Sequence, residues 1–492
     1  MKYPSLLYYE KQTIKPIDVS VFEDLQLAFF IDGETAKAVS VPCAGENITA
    51  RHEIFRLLEN PEFRTFFSEL YETVCDICDL DKTLKQARCD FERNVIFASL
   101  MRLVIAFAEK ASAISKNSRI LTRFSDFFSG DIKKDMLTDV SEKALALIRS
   151  IDNFRYGRFT SHGLSLKMSR SDNSRPDQSY YDRISECAKK LGLDPLCVEK
   201  IKPHQLSSDI IKGYEKLYPD EFAEFDEFYK KYSGIYSGEI TAYKTEIGFY
   251  LTVTHMLDMA REINIPLVYP DVTEDHIIKI RNAYDISLIA KDETNIVPND
   301  IEFSDGEPFY YLTGANGGGK TTYLRTVGIA ALLYIMGCPM PCDSAVMGNI
   351  SGIFTHFPHD ERFTGTGRFV EEQNRVKRIL SEADGNSLVL LNETYSSTNE
   401  ENAVACTKEL ADTLYSKKIF GLYITHQHAV QSKQIPYLNV LIDRDNENRR
   451  TFKVARMRDD GGSFALDILK KYSLTKEALE KRFEKMKSDC RI

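Results

Sequence analysis

The chain has 492 residues, of which 43% are hydrophobic, and its 64 Lys and Arg against 73 Asp and Glu give a formal net charge of −9. This length and apolar content exclude a wholly disordered chain and predict two to four folded domains. The acidic balance excludes a uniformly basic nucleic-acid binder, so any contact with nucleic acid needs a local basic surface.

The N-terminal half has mostly helical spacing. A mixed segment ends near residue 48 and includes a predicted strand at 37–41. Beyond it, apolar residues recur at intervals of three and four, which is typical of amphipathic helices. The predicted helices cover residues 51–58, 63–78, 84–114 and 141–154, and helical spacing resumes over 180–263 with breaks near Pro203 and Pro219.

Cys75 and Cys78 have the spacing of half a metal site. No second pair follows at zinc spacing, and the surrounding residues predict a helix, so we interpret them as an ordinary helical pair. The N-terminus lacks a secretory signal, and the longest apolar run (328–336) is too short to span a bilayer. We therefore expect a cytoplasmic protein with reduced thiols.

A polar, serine-rich stretch at 155–175 interrupts the helical pattern. Its basic residues are Arg155, Arg158, Lys167, Arg170 and Arg175. They have two interpretations, which the sequence leaves open: non-specific contact with DNA phosphates, or a solvated loop between two antiparallel helices.

From residue 266 onwards, strands and helices alternate. The predicted strands are 307–313, 387–391 and 419–425, and the predicted helices are 321–336 and 402–415. Residues 438–442 and 451–456 flank a polar turn and predict a hairpin, and a last helix is predicted at 476–487. The expected organisation is a short mixed segment (1–48), a helical domain (49–265) and an α/β domain (266–492).

A glycine-rich loop follows the first of these strands. Its sequence GANGGGKT fits the phosphate-binding pattern G-x-x-x-x-G-K-[ST]. Glycines allow backbone N–H groups to point at a polyanion, and the N-terminus of the next helix stabilises negative charge. Lys320 is expected to reach the β- and γ-phosphates and Thr321 to ligate Mg²⁺. The predicted ATP-binding residues are Gly314, Ala315, Asn316, Gly317, Gly318, Gly319, Lys320, Thr321 and Thr322.

The strand at 387–391 is followed by Asn392 and Glu393, in the manner of a Walker-B element. That element ordinarily has Asp at the first position, where it helps to hold Mg²⁺. Asn392 brings no charge, so we expect weak Mg²⁺ binding and slow hydrolysis. Glu393 is the predicted activator of the attacking water, and His426, just after the next strand, is the predicted sensor of the γ-phosphate.

In these motifs the chain resembles the ATPase domain of the MutS DNA mismatch repair family. GANGGGKTT is similar to that family's GPNMGGKST, and IVPNDI (296–301) is similar to FVPNDI. LLNETYSSTNEENA (390–403) resembles LMDEIGRGTSTYDGLSLA, and ITHQH (424–428) resembles ATHYFEL. GTGRFVEEQNRVKRIL (365–380) resembles GRSTFMVEMTETANIL, and the tail 461–481 is similar to the domain's closing helices. The likeness covers about residues 270–490, and more loosely the helical part from residue 47.

The resemblance implies an ABC-type ATPase domain preceded by a reduced core and lever region. It implies ATP and Mg²⁺ as ligands, a homodimer with nucleotide at its interface, and lever helices that close on duplex or branched DNA. Ile296 is a further predicted ATP-binding residue, and it stands where the family has an aromatic residue in its adenine pocket. Gly367 and Arg368 stand where the family's segment that reaches the partner's nucleotide has Ser-Thr.

The residues ahead of Thr49 are too few for the family's mismatch-recognition and connector domains, so we expect no direct mismatch reading. We predict that the protein is an ATPase, which converts ATP and water to ADP and phosphate and closes on DNA as it does so. Two alternatives remain open: an ATP-binding dimerisation switch that does not hydrolyse, and a protein-interaction scaffold that does not bind DNA.

Overall fold

The computed structural model groups the chain into two compact units. Unit 1 comprises Met1–Leu7 and Arg56–Leu251, and unit 2 comprises Tyr8–Phe55 and Thr252–Ile492. The structure describes residues 3–152, 154–158, 167–170, 190, 197–200, 208–291, 293–357, 368–395, 400–425, 434–443 and 449–456.

The described helices and strands are numbered in chain order. The helices are α1 (Ser20–Asp24), α2 (Gly33–Val39), α3 (Glu46–Leu58), α4 (Pro61–Lys85), α5 (Asp90–Ser112), α6 (Arg119–Ser129), α7 (Asp131–Asp152), α8 (Ser208–Leu217), α9 (Pro219–Tyr232), α10 (Ala242–Glu262), α11 (Lys320–Ile335), α12 (Arg368–Glu382) and α13 (Glu400–Ser416). The strands are β1 (Phe154–Arg158), β2 (Lys167–Arg170), β3 (Cys197–Lys200), β4 (Leu267–Val268), β5 (Asp271–Val272), β6 (Ile277–Ala283), β7 (Asn299–Ser304), β8 (Phe309–Thr313), β9 (Met340–Pro341), β10 (Ser344–Met347), β11 (Gly352–His356), β12 (Ser387–Asn392), β13 (Phe420–Ile424), β14 (Tyr437–Asp443) and β15 (Arg449–Ala455).

Helix α5 is the centre of unit 1. It is apolar on most of its surface, and α4, α6, α7 and α9 pack around it. Helix α4 begins where Asn60 accepts hydrogen bonds from the amides of Glu62 and Phe63, with Pro61 at the first helical position. It contains Cys75 and Cys78 as free thiols, which confirms the helical pair.

Some predicted elements in the N-terminal half were wrong. Residues predicted as a strand at 37–41 lie mostly in α2, because Asp32 caps this helix by accepting hydrogen bonds from Glu34 and Thr35. The basic stretch forms β1 and β2, which pair with β3 in a three-stranded antiparallel sheet ordered β2-β1-β3. The helical spacing predicted from residue 180 onwards is therefore interrupted by β3.

A six-stranded sheet organises unit 2. Its order is β11-β12-β13-β8-β14-β15, and every neighbouring pair is parallel except the hairpin β14–β15. The central strands β12 and β13 are buried on both faces, as in a doubly wound α/β domain. Helix α11 packs on β11, β12 and β13, while α12 and α13 contribute to a core with alternate residues of β8 and β12. The strands, α11, α13 and the hairpin confirm the predicted α/β alternation.

The N-terminal segment of unit 2 contacts α12 and β11 through charged groups. Asp18 pairs with Arg378 at 2.6 Å, and Lys15 pairs with Glu382 at 3.1 Å. The fully buried Asp24 carboxylate accepts hydrogen bonds from Thr355 and Arg375.

Two of these carboxyl groups have shifted pKa values. Burial raises the pKa of Asp18, but hydrogen bonds from Ser20 and Arg378 outweigh it and hold the pKa below its ordinary value. The hydrogen bond from Lys15 lowers the pKa of Glu382, with a further contribution from Arg378. Residues 8–55 therefore fold with the α/β part, whereas the sequence-based division set the first 48 residues apart.

Within the described ranges, no helix is both long and apolar enough to cross a membrane. The same ranges contain no cluster of three His, Cys, Asp or Glu side chains that could hold a metal ion. The predicted last helix, 476–487, and the closing segment 461–481 lie outside the described residues.

Candidate nucleotide-binding site

Three parallel strands of unit 2 end at one edge of the sheet. Asn392 at the end of β12 pairs with Ile424 of β13, and Ile424 pairs with Leu312 of β8. The register therefore places the glycine-rich loop after β8 near the residues that follow β12 and β13. In open α/β sheets, ligands bind at this carboxyl edge.

The loop requires glycine at several of its positions. Gly314 has φ of +121° and Gly319 has φ of +102°, which residues other than glycine rarely adopt. A Cβ atom at Gly314 would lie 3.2 Å from the backbone nitrogen of Val440 on β14. The β14–β15 hairpin thus packs against one side of the loop, and the pocket lies on the loop's open side.

Lys320 is the first residue of α11 and is buried. Its Nζ donates hydrogen bonds to the carbonyl oxygens of Gly314 (2.8 Å) and Ala315 (3.2 Å) and to Oδ1 of Asn316 (3.3 Å). The ammonium group is thus held within the loop, beside the N-terminal amides of α11, where the helix dipole also favours an anion. Thr321 is exposed and Thr322 is half-buried on the first turn of this helix.

Asn392, at the Walker-B position, has a buried side-chain oxygen, Oδ1, without a hydrogen-bond partner among the described residues. A buried acceptor without a partner costs about 1–3 kcal/mol. This oxygen suits a water bound to Mg²⁺, and Thr321 supplies a hydroxyl on the loop side, so the residues fit a divalent cation held by neutral ligands.

Glu393 follows Asn392 in a left-handed conformation, with φ of +52°. Its backbone N–H donates to the carbonyl of Ile424 at 3.0 Å, which fixes the turn against β13. A left-handed φ is uncommon for a non-glycine residue and is found mostly where the surrounding structure imposes it.

An open pocket of about 470 Å³ lies over the loop. The described residues that line it are Asn316, Gly317, Gly319, Lys320, Thr321, Thr322, Glu393 and Phe452. The structure thus brings the predicted phosphate-binding residues together with Glu393. Phe452 was missed by the sequence reasoning, because the hairpin pattern predicts its strand but not its position beside the loop.

Other predicted site residues are not gathered here. Ile296 is half-buried before β7 and is not among the described residues that line the pocket. Arg368 begins α12. Arg155 and Arg158 lie on β1, and Lys167 and Arg170 lie on β2. The predicted His426, Gly367 and Arg175 lie outside the described residues.

Comparison with known proteins finds similarity to MutS proteins. A family model described as MutS domain V matches residues 310–483. The DNA mismatch repair protein MutS of Fervidobacterium nodosum is 35% identical over 152 residues, which are 30% of this chain and 18% of that protein. The MutS of Thermus aquaticus is 32% identical over 154 residues, 31% of this chain and 19% of that protein. The MutS of Methanosarcina barkeri is 26% identical over 283 residues, 56% of this chain and 30% of that protein.

The chain therefore matches less than a third of the length of each of these relatives. The residues matched by the family model include the glycine-rich loop, the strand that ends in Asn392 and the β14–β15 hairpin. These are the elements that meet at the pocket. Residues 310–483 of the chain are therefore similar to domain V of the MutS family, which is that family's ATPase domain of the P-loop type.

Proposed function

We propose that the chain binds ATP with Mg²⁺ in the pocket over the glycine-rich loop and hydrolyses it slowly. The observation that carries the proposal is the position of the Lys320 ammonium group, which three loop acceptors hold beside the N-terminus of α11. A buried ammonium group surrounded by inward-facing loop backbone is the arrangement that recognises the β- and γ-phosphates of a nucleoside triphosphate.

Each described residue then has a distinct role. The loop amides orient the phosphates, and Lys320 neutralises part of their charge. Thr321 and Asn392 are the residues that would hold Mg²⁺, which when bound neutralises charge that develops on the phosphates. Glu393 accepts the proton of the attacking water. Because Asn392 is neutral, the cation is held less tightly than by a carboxylate, and turnover is slow.

We further propose that nucleotide binding controls dimerisation and contact with DNA. The relatives are DNA mismatch repair proteins by name, which supports a DNA ligand for this chain. Two copies meet across the nucleotide, with Arg368 reaching towards the partner's γ-phosphate and His426 sensing the γ-phosphate. The helical unit then closes on duplex or branched DNA, and the basic residues of β1 and β2 contact phosphates.

Calorimetric titration of the full chain with ATP and Mg²⁺ tests the nucleotide site. Lys320→Ala should abolish detectable binding, because it removes the only positively charged side chain among the described residues that line the pocket. Lys279→Ala is the matched control, since Lys279 is an exposed lysine on β6 of the same unit. Retained ATP binding by Lys320→Ala, with circular dichroism unchanged, would refute the assignment.

The alternative of a non-hydrolysing switch is supported by the neutral side chain of Asn392. Turnover of the native chain and of Glu393→Gln separates the two proposals. A loss of turnover in Glu393→Gln supports hydrolysis, whereas equal background rates in both support the switch. Binding of branched and linear duplexes over a range of salt concentrations, with and without ATP, separates a DNA clamp from a protein scaffold.

A further inference from the structure

Phe452 is an exposed aromatic residue in an irregular part of β15. Val440 pairs with Val454 and Ile442 pairs with Arg450, so Leu441 of β14 lies opposite three residues of β15. The bulge has Phe452 at its centre, with φ of +57° and 47% of its surface exposed. A bulge beside a binding site commonly redirects a side chain.

This strained conformation is held by hydrogen bonds to its flanks. Asn299, buried at the start of β7, donates from Nδ2 to the carbonyl of Phe452 (3.0 Å) and accepts at Oδ1 from the amide of Val454 (2.8 Å). The Thr451 hydroxyl donates to the carbonyl of Leu441 at 2.6 Å. A left-handed φ at a bulky residue is costly, so these contacts indicate that the fold maintains it.

The phenyl ring is directed to the rim of the phosphate-binding loop. A Cβ atom placed on Gly319 would lie 3.2 Å from Cδ1 of Phe452, so the ring lies against the loop where α11 begins. Phe452 is the one aromatic residue among the described residues that line the pocket. The remaining described lining residues are polar or glycine, so the ring provides the pocket with a flat apolar face.

We propose that Phe452 is the platform on which the nucleotide base stacks. The proposal rests on the proposed function, since it needs a triphosphate bound in the loop. Aromatic rings attract nucleobases through their π-faces, and such stacking tolerates different bases. Ile296 has no flat face to offer. The chain thus supplies from β15 the aromatic contact that residue 296 cannot make, and it favours purines because of their larger faces.

The test compares ATP with inorganic tripolyphosphate, which has the phosphates without the base, on the full chain with Mg²⁺. Phe452→Ala should weaken ATP binding by roughly 5- to 150-fold, which is the usual effect of removing one base-stacking aromatic. Its binding of tripolyphosphate should match that of the native chain. Phe29→Ala is the matched control, because Phe29 is an exposed phenylalanine of the same unit that does not line the described pocket.

A second variant gives a direct signal. The chain contains no Trp, so Phe452→Trp introduces a single indole at the proposed platform. ATP should quench its fluorescence, tripolyphosphate should not, and ATP affinity should be retained. Equal ATP affinities for the native chain and Phe452→Ala, or an indole that does not respond to ATP, would overturn the inference while leaving triphosphate binding intact. If the native chain binds neither ATP nor tripolyphosphate, the proposed function itself fails.

Discussion

The N-terminal segment of unit 2 (residues 8–55) packs on α11, the helix that follows the glycine-rich loop. This packing predicts how one methyl group added to α11 changes the stability of the unit. Gly328 lies in the middle of α11, where helix propensity by itself favours alanine by about 1 kcal/mol. A Cβ atom there would lie 2.4 Å from Cδ2 of Leu25 and 2.7 Å from Cδ1 of Leu390. Both leucines are fully buried, so neither side chain can move into solvent.

Gly328→Ala should therefore destabilise unit 2. Inserting a methyl group into a packed core usually costs about 1–3 kcal/mol, and these contacts are shorter than real Cβ atoms show. Because the contacts are this short, the upper part of that range, about 2–3 kcal/mol, applies here. Subtracting the gain in helix propensity of about 1 kcal/mol leaves a net loss of about 1–2 kcal/mol. Gly33→Ala is the matched control, because a Cβ atom at the start of α2 meets nothing within 4 Å. The stability of unit 2 should be unchanged or slightly higher in this control variant.

Scanning calorimetry of each variant measures the shift of the unfolding temperature. Leu25→Ala alone should destabilise by about 2–5 kcal/mol, because it opens a cavity. In the double variant the new methyl group occupies part of that cavity, so the combined loss should be smaller than the sum of the single losses. A Gly328→Ala protein as stable as the native chain, or strictly additive effects with Leu25→Ala, would refute the packing of the N-terminal segment on α11.

Two further predictions concern charge. Asn392→Asp should lower the Mg²⁺ concentration at half-maximal ATP turnover by about 5- to 10-fold, because a charged acceptor gains about 1 kcal/mol over a neutral one. An unchanged Mg²⁺ titration would contradict a role for this residue in holding the cation. Asp18 has a pKa below its ordinary 3.8, so its stabilising effect is present above about pH 4 and is lost as the pH falls through the lowered pKa. Asp18→Asn should accordingly lower the unfolding temperature at pH 6, by an amount equivalent to at most about 1 kcal/mol for this half-exposed pair. The difference should shrink as the pH falls below about 4. A difference that grows in acid would mean that the pair with Arg378 does not form.

The fold of the α/β part could be predicted from local signals. Strands β8 and β12 are short apolar runs that end in a polar residue, β13 is an apolar run followed by Thr425, and the loop before α11 has glycines at fixed spacing. Buried parallel strands need apolar side chains on both faces, so their sequences differ plainly from those of amphipathic helices. The hairpin was predicted for a similar reason, since a polar turn separates two apolar runs.

The N-terminal half was harder to predict. Residues 37–41 alternate enough to suggest a strand, yet the cap at Asp32 starts a helix that runs through Val39. Strands β1 to β3 are short and polar, and they pair across long stretches of chain, so no local pattern identifies them.

The chemistry of the loop follows from the order of its residues: glycines where the backbone must approach phosphate, a lysine at the helix start, and an amide in place of the Walker-B carboxylate. These features depend on neighbouring residues, so spacing alone identifies them. Three features become visible only in the folded chain: residues 8–55 pack with the α/β part, Asn299 holds a bulge in β15, and this bulge brings Phe452 beside Gly319. Such contacts join residues more than a hundred positions apart, and their energies exist only once the chain has folded.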